Sequence, residues 1–169
     1  MRQIKINSET GSELITTQNV KDYVRIDTSA DDTLIGQMIV QARIWCENYI
    51  SRDIVAKNRT YYLDKTNGIF DLPFAPVASI SSLSIDGTSA DYTVLGLDNE
   101  TIELDGGAAE KVSVTYVTTG LDNGLIKQAM LQLISTYYDN RADFKTGTIV
   151  SEVPTNVKAV LASYKSMFV

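Results

Sequence analysis

Histidine is absent from this chain of 169 residues. The commonest general base near neutral pH and the commonest metal ligand are therefore missing. A serine–histidine triad of the usual kind is excluded. Carboxylate, lysine, serine or tyrosine chemistry stays open. Cysteine occurs once, at Cys46, so no intrachain disulfide forms, which fits a reducing compartment. No apolar run approaches the ~20 residues that span a bilayer, and no membrane partner is expected. The opening MRQIKINSET lacks the apolar core of a signal peptide. The expectation is a protein made and kept in a cytoplasm. Proline is scarce, with three residues. A chain of this size buries roughly 70% of its unfolded surface, so neither metal nor disulfide is needed for stability.

Charge is present but unevenly placed. The net charge is −6. Between Thr60 and Gly120 stand nine acids and two bases, Lys65 and Lys111, giving −7, while the remainder is nearly neutral. Such a segment repels a phosphate backbone rather than gripping it. In isolation it reads as a solvated surface that aids solubility.

Periodicity divides the chain into helix, helix, strands, helix, helix. In TTQNVKDYVRI, Thr17 is the expected cap of a short helix with Val20 and Val24 inward. After helix-start chemistry at Ser29 to Asp32, Ile35, Met38, Ile39, Ala42, Trp45, Cys46 and Tyr49 recur at three- and four-residue steps. From about Arg59 the texture becomes strand-like. Asn67-Gly68 reads as a two-residue hairpin turn, and Asp86-Gly87 as another turn. Pro73 and Pro76 belong at strand ends or an edge. Tyr92 to Leu95, Thr101 to Leu104 and Lys111 to Val117 complete a small antiparallel sheet, with Val112, Val114 and Tyr116 on one face. Helical period returns in Leu125, Ile126, Ala129, Met130, Leu133, Ile134 and Tyr137. A last helix is expected from about Thr155, with Pro154 at its entrance.

The reading is α+β: a mainly helical frame of about four helices with an inserted antiparallel β module. It treats 1–169 as a single domain, with 60–120 inserted between helical stretches 17–58 and 121–169.

Searches for chemistry return little. Asp105-Gly106-Gly107 lacks the lysine and helix of a phosphate loop. Asp98, Glu100 and Asp105 lack the calcium-loop pattern. No catalytic, cofactor-binding or metal-binding residues are assigned, and no cofactor is expected. Asp64, Asp71 and Glu103 are the acids that a carboxylate-pair hydrolase would use. Arg52, Lys57 and Arg59 form a weak basic stripe that reads as a solvated helix end. Trp45 reads as core. Tyr137, Tyr138 and Arg141 are less easily absorbed into one helix face, and tyrosine and arginine are enriched at interfaces.

Five motifs in order then resemble one family. VKDYVRID and, after Asp31-Asp32, LIGQMIVQARIWCENYISR look like the opening of tailed-phage head–tail connector (adaptor) proteins. LPFAPVASISSLSIDG and KVSVTYVTTG resemble its strands. IKQAMLQLISTYYDNRAD and VPTNVKAVLASYK resemble its closing helices. Gln18-Asn19 depart from the usual acidic pair, which is expected to weaken the first helix's capping box.

The resemblance implies a non-enzymatic subunit of the virion neck, present in the host cytoplasm during assembly. Such subunits form a ring under the portal and extend the DNA channel toward the tail. The implied partners are the portal protein, neighbouring copies, and a stopper or tail-completion protein, with DNA passing unbound. By resemblance and residue type, the contact residues are Tyr138, Arg141, Asp143, Phe144 and Lys145, with Tyr164, Met167, Phe168 and Val169 of the tail. The alternatives are a tail-completion or minor neck protein and a carboxylate-based cell-wall hydrolase.

Overall fold

In the computed structural model, residues 1–140 and 155–166 are described. Among them stand four helices and eight strands. The α+β expectation holds, with strands as extensive as helices. The described chain divides into two units, each assembled from two separate stretches.

The first unit comprises Met1–Ser12 and Ser51–Leu121. It holds two antiparallel sheets rather than the single sheet expected from the sequence. Strands β1 (Arg2–Glu9), β2 (Lys57–Thr66), β8 (Ala109–Thr118), β4 (Val77–Ile85) and β5 (Thr88–Ser89) form the larger, in the order β1-β2-β8-β4-β5. Strands β3 (Ile69–Asp71), β7 (Thr101–Leu104) and β6 (Tyr92–Leu95) form the smaller. Alternation along β2 and β8 puts Tyr61, Leu63, Val112, Val114 and Tyr116 on one buried face. Ile102 and Leu104 of β7 join them from the smaller sheet.

Asn67-Gly68 turns the chain, but not into a hairpin. β2 pairs with β1 and β8, while β3 pairs with β7. The turn therefore passes the chain between sheets. Gly68 has φ +103°, and a Cβ there would meet the Gly107 backbone at 2.7 Å. Only glycine satisfies both constraints. Asp86 and Gly87, both at positive φ, make the expected turn from β4 to β5.

β1 was not expected. Its alternation of Ile4 and Ile6 with Gln3, Lys5 and Asn7 is a strand signal in the opening of the chain. The stretch 17–58 is likewise not helical to its end, because Lys57 and Asn58 already belong to β2.

The second unit comprises Glu13–Ile50 and Asp122–Val169. Helix α1 (Thr17–Val24) is capped by Thr16, not Thr17. The Asn19 amide accepts the cap, replacing a breadth of possible acids: Asn19 Oδ1 accepts from the Thr16 N–H at 3.0 Å, and Thr16 Oγ1 accepts from the Asn19 N–H at 3.2 Å. The capping box is thus complete with an amide in place of an acid. Helix α2 (Asp32–Ile50) packs on α3 (Gly124–Asp139), and α4 (Thr155–Ala162) packs on both. Ile35, Ile39, Ala42, Cys46, Met130, Leu133, Ile134, Val157 and Leu161 form the buried layer.

Trp45 is not in that layer. It is half-buried and stacks on Tyr49, with centroids 5.3 Å apart. Buried on α2 instead are Arg43 and Glu47, which pair with each other at 3.2 Å, while Arg43 Nε also reaches Glu13 at 2.9 Å. Two bonded charges thus occupy the space next to the aliphatic stripe, and the indole lies at its flank.

Candidate interaction surfaces

The tyrosines picked out at the helix ends are bonded within their own unit. Tyr138, in the last turn of α3, is half-buried, and its O–H donates to Asp31 Oδ2 at 2.6 Å. Tyr164, just after α4, is also half-buried and donates to Asn123 Oδ1 at 3.1 Å. Asn123 caps α3 through the same oxygen. Tyr137 is half-buried as well, and burial raises its phenol above the ordinary range. The Tyr138 and Tyr164 hydroxyls each tie one helix end to another segment of the helical unit. Arg141, Asp143, Phe144, Lys145, Met167, Phe168 and Val169 lie outside the described residues.

Arg52, Lys57 and Arg59 are not a solvated basic stripe. Lys57 and Arg59 are buried on β2 around the Asp53 carboxylate. Arg59 donates to it twice, at 2.8 and 2.6 Å. Lys57 Nζ lies at 3.3 Å, and the Thr118 hydroxyl donates at 2.8 Å. The Arg59 guanidinium also lies 3.8 Å from the centre of the Phe74 ring. These cations are committed to the fold, so they offer no grip on a nucleic-acid backbone.

The acidic segment, by contrast, faces water. Asp64, Asp71, Asp86, Asp91, Glu103, Asp105 and Glu110 are exposed, and Asp98 and Glu100 are half-buried. Several have their own partners: Lys111 on Asp86 at 2.9 Å, Lys65 on Glu110 at 3.3 Å, and the Thr101 hydroxyl on Asp71 at 2.7 Å. Among the described residues no cluster of three or more His, Cys, Asp or Glu side chains could hold a metal. Among them too, no helix is long and apolar enough to cross a membrane.

Exposed apolar side chains mark surfaces that the sequence reading missed. In the first unit they include Ile4, Ile6, Ile69 and Leu97. Leu97 is fully exposed at the tip of the β6–β7 turn. The turn beneath it is held firmly. Asp98 N–H donates to Glu100 Oε2 at 2.9 Å, and the Asp98 carbonyl accepts from the Val77 N–H at 2.9 Å. Arg52 reaches the Asp98 carboxylate at 3.4 Å. The signal was a lone leucine inside a polar turn.

In the helical unit, Val40 and Ile44 are exposed one turn apart on α2, and Leu125 is exposed on α3. A shallow groove of about 470 Å³ runs beside α1 and α3, with Leu14, Tyr23 and Leu131 on its walls and Asp22 and Lys127 among its charges. The molecule thus presents several separate apolar spots, and its polar groups are largely satisfied internally.

Known proteins can now be set beside this geometry. The family model for head completion protein matches residues 13–167. No curated protein matches the chain significantly. Among solved structures, a chain from the neck of an empty GTA particle computed with C6 symmetry is similar. It shares 18% identity and a TM-score of 0.77, over 99% of this chain and 97% of that one. A chain from the virion of a native gene transfer agent particle gives 17% and 0.74, over 99% and 97%. A chain from the neck of the native GTA particle computed with C12 symmetry gives 17% and 0.71, over 96% of each. These likenesses establish the fold, and the family model covers most of the chain. The resemblance read from five motifs therefore holds, and the chain belongs to the head completion protein family, a family of virion head–tail connectors.

Proposed function

We propose that this protein is a non-enzymatic neck subunit that assembles as a ring of copies beneath a portal and extends the DNA channel toward the tail. The observation that carries the reading is the end-to-end overlap with chains from necks of six-fold and twelve-fold symmetry. Its partners are the portal, neighbouring copies, and a stopper or tail-completion protein. A cyclic ring uses heterologous contacts, so each subunit needs two different docking faces. Tyr138, Arg141, Asp143, Phe144, Lys145 and the tail Tyr164, Met167, Phe168 and Val169 contribute to those faces. For Tyr138 and Tyr164 the contact expected is through the ring, since the hydroxyls bond Asp31 and Asn123.

The solvent-facing acids of residues 60–120 give the channel or rim a negative wall. Such a wall lets DNA pass without trapping it. A carboxylate-pair hydrolase would instead need two acids facing each other across a cleft, one of them desolvated. The acids of this segment are exposed or half-buried, and lysines hold Asp86 and Glu110, so none is desolvated in that way.

Mass measurement of the purified protein, alone and with portal, tests the reading. A ring, or a ring that appears only with portal, is expected. A monomer indifferent to portal refutes it. A ring that binds a tail protein but never the portal would favour a tail-completion protein instead.

A further inference from the structure

We propose that the open edge of β1 receives β4 of a second copy of this chain, so that neighbouring copies join strand to strand. The inference rests on the ring reading and names one of its contacts.

β1 pairs with β2 alone among the described strands. The Asp64 N–H donates to the Met1 carbonyl at 3.1 Å. Antiparallel pairs alternate between bonded and non-bonded, and Arg2 stands opposite Leu63, Ile4 opposite Tyr61, and Ile6 opposite Arg59. The backbone groups of Gln3 and Lys5 therefore face β2. Those of Arg2, Ile4 and Ile6 face outward, with no strand to meet them. The bulge after Ile6 ends this run, and the Asn7 amide holds it by donating to Asn58 Oδ1 at 2.7 Å and Thr60 Oγ1 at 2.9 Å.

The side chains point the same way. Cross-strand partners share a face, so Ile4 and Ile6 lie on the face that carries Tyr61 and Leu63 into the core. At β1 that apolar face runs out into solvent, leaving Ile4 40% and Ile6 48% exposed. Native sheets usually blunt a long open edge. Here apolar side chains and free amides coincide on the same residues.

The opposite edge of the same sheet fits. β4 is paired along its length with β8, but on its outer side only Ser84 and Ile85 meet β5. Residues 78–82 have no outer strand partner among the described residues. Three antiparallel pairings separate β1 from β4, so the two strands run in opposite directions. A neighbour rotated about an axis along the strands would therefore bring its β4 beside β1 in antiparallel sense, with the same faces aligned. The contact is heterologous and can close into a ring. Charge does not oppose the contact: the outward run of β1 carries Arg2 and Lys5, whereas residues 77–91 contain no lysine or arginine.

Hydrogen exchange on the full-length protein, as free subunit and as assembled ring, tests this without any variant. The amides of Arg2, Ile4 and Ile6, together with those of residues 78–82 that face away from β8, should slow at least tenfold in the ring. Ile4→Asp with Ile6→Asp should lower the ring fraction at least tenfold while leaving the circular dichroism of the free subunit unchanged. A ring in which both edges exchange as fast as in the free subunit overturns this contact and leaves the ring reading standing. Protection of β1 without residues 78–82 also overturns it. A chain that forms no ring even with portal overturns both.

Discussion

Asp53 is the residue on which the β unit's polar interior turns. Its carboxylate accepts from Arg59, Lys57 and Thr118, all buried. Asp53→Asn would keep the shape and remove the buried negative charge that Arg59 and Lys57 share. Breaking a buried pair in this way costs about 3–5 kcal/mol. Urea unfolding should show that loss as a fall in midpoint. Tyr138 is the opposite case. Tyr138→Phe loses one half-buried hydrogen bond to Asp31, worth about 1 kcal/mol, and should leave the free subunit folded. Tyr138→Ala removes the ring as well. If the ring surface is a contact, comparing the two variants by the mass of the assembly will separate hydroxyl from ring: Phe should assemble and Ala should not. A Phe variant that assembles no better than Ala would return Tyr138 to an internal role.

Among the elements, α1 shows how local chemistry decides what family pattern alone does not. Asn19 completes the capping box through its amide oxygen, so an acid is unnecessary there. Thr16→Ala should cost about 0.5–2 kcal/mol, readable as a lower melting temperature. The long helices were legible because their apolar period is sustained over many residues. β6 and β7 were legible to the residue because turn signals bracket them. The division into two sheets was not. Asn67-Gly68 specifies a tight turn, but which strand β3 then pairs with depends on contacts with Thr101 to Glu103, some thirty residues on. The burial of Lys57 and Arg59 was hidden for a related reason. Their counter-ion lies close in sequence, yet only the return of β8 with Thr118 encloses them. Tyr138 was visible as an amphipathic residue, but its partner Asp31 is 107 positions away.

At the scale of the whole molecule, alkaline pH probes both units at once. Burial, with Glu47 adding to it, pushes the Cys46 thiol from its ordinary 9.0 up to about 12. Burial likewise raises the Tyr116 phenol, against the pull of nearby Arg59, and its O–H donates to the Pro73 carbonyl at 2.6 Å. The folded state holds both protons more tightly than the unfolded chain. Their contribution to stability is therefore full below about pH 9 and falls as pH rises toward 12. Urea midpoints should decline between about pH 8.5 and about pH 10.5. Cys46→Ala should flatten the early part of that decline. Cys46 should also resist alkylating reagents in the folded protein and react once it is unfolded.

The split origin of the β unit has a consequence in time. β1 is made before β2, which starts about 55 residues later in the chain. At about 5–20 residues per second, β1 waits roughly 3–11 s for its partner. During that interval Ile4 and Ile6 have neither β2 beside them nor a neighbouring copy. When β2 does arrive, pairing must also close the loop that contains α1 and α2. Even so, β1–β2 is the first strand pairing that can form, since every other pairing awaits β5, β7 or β8, and chaperone capture of nascent chains should peak before Thr66 has emerged.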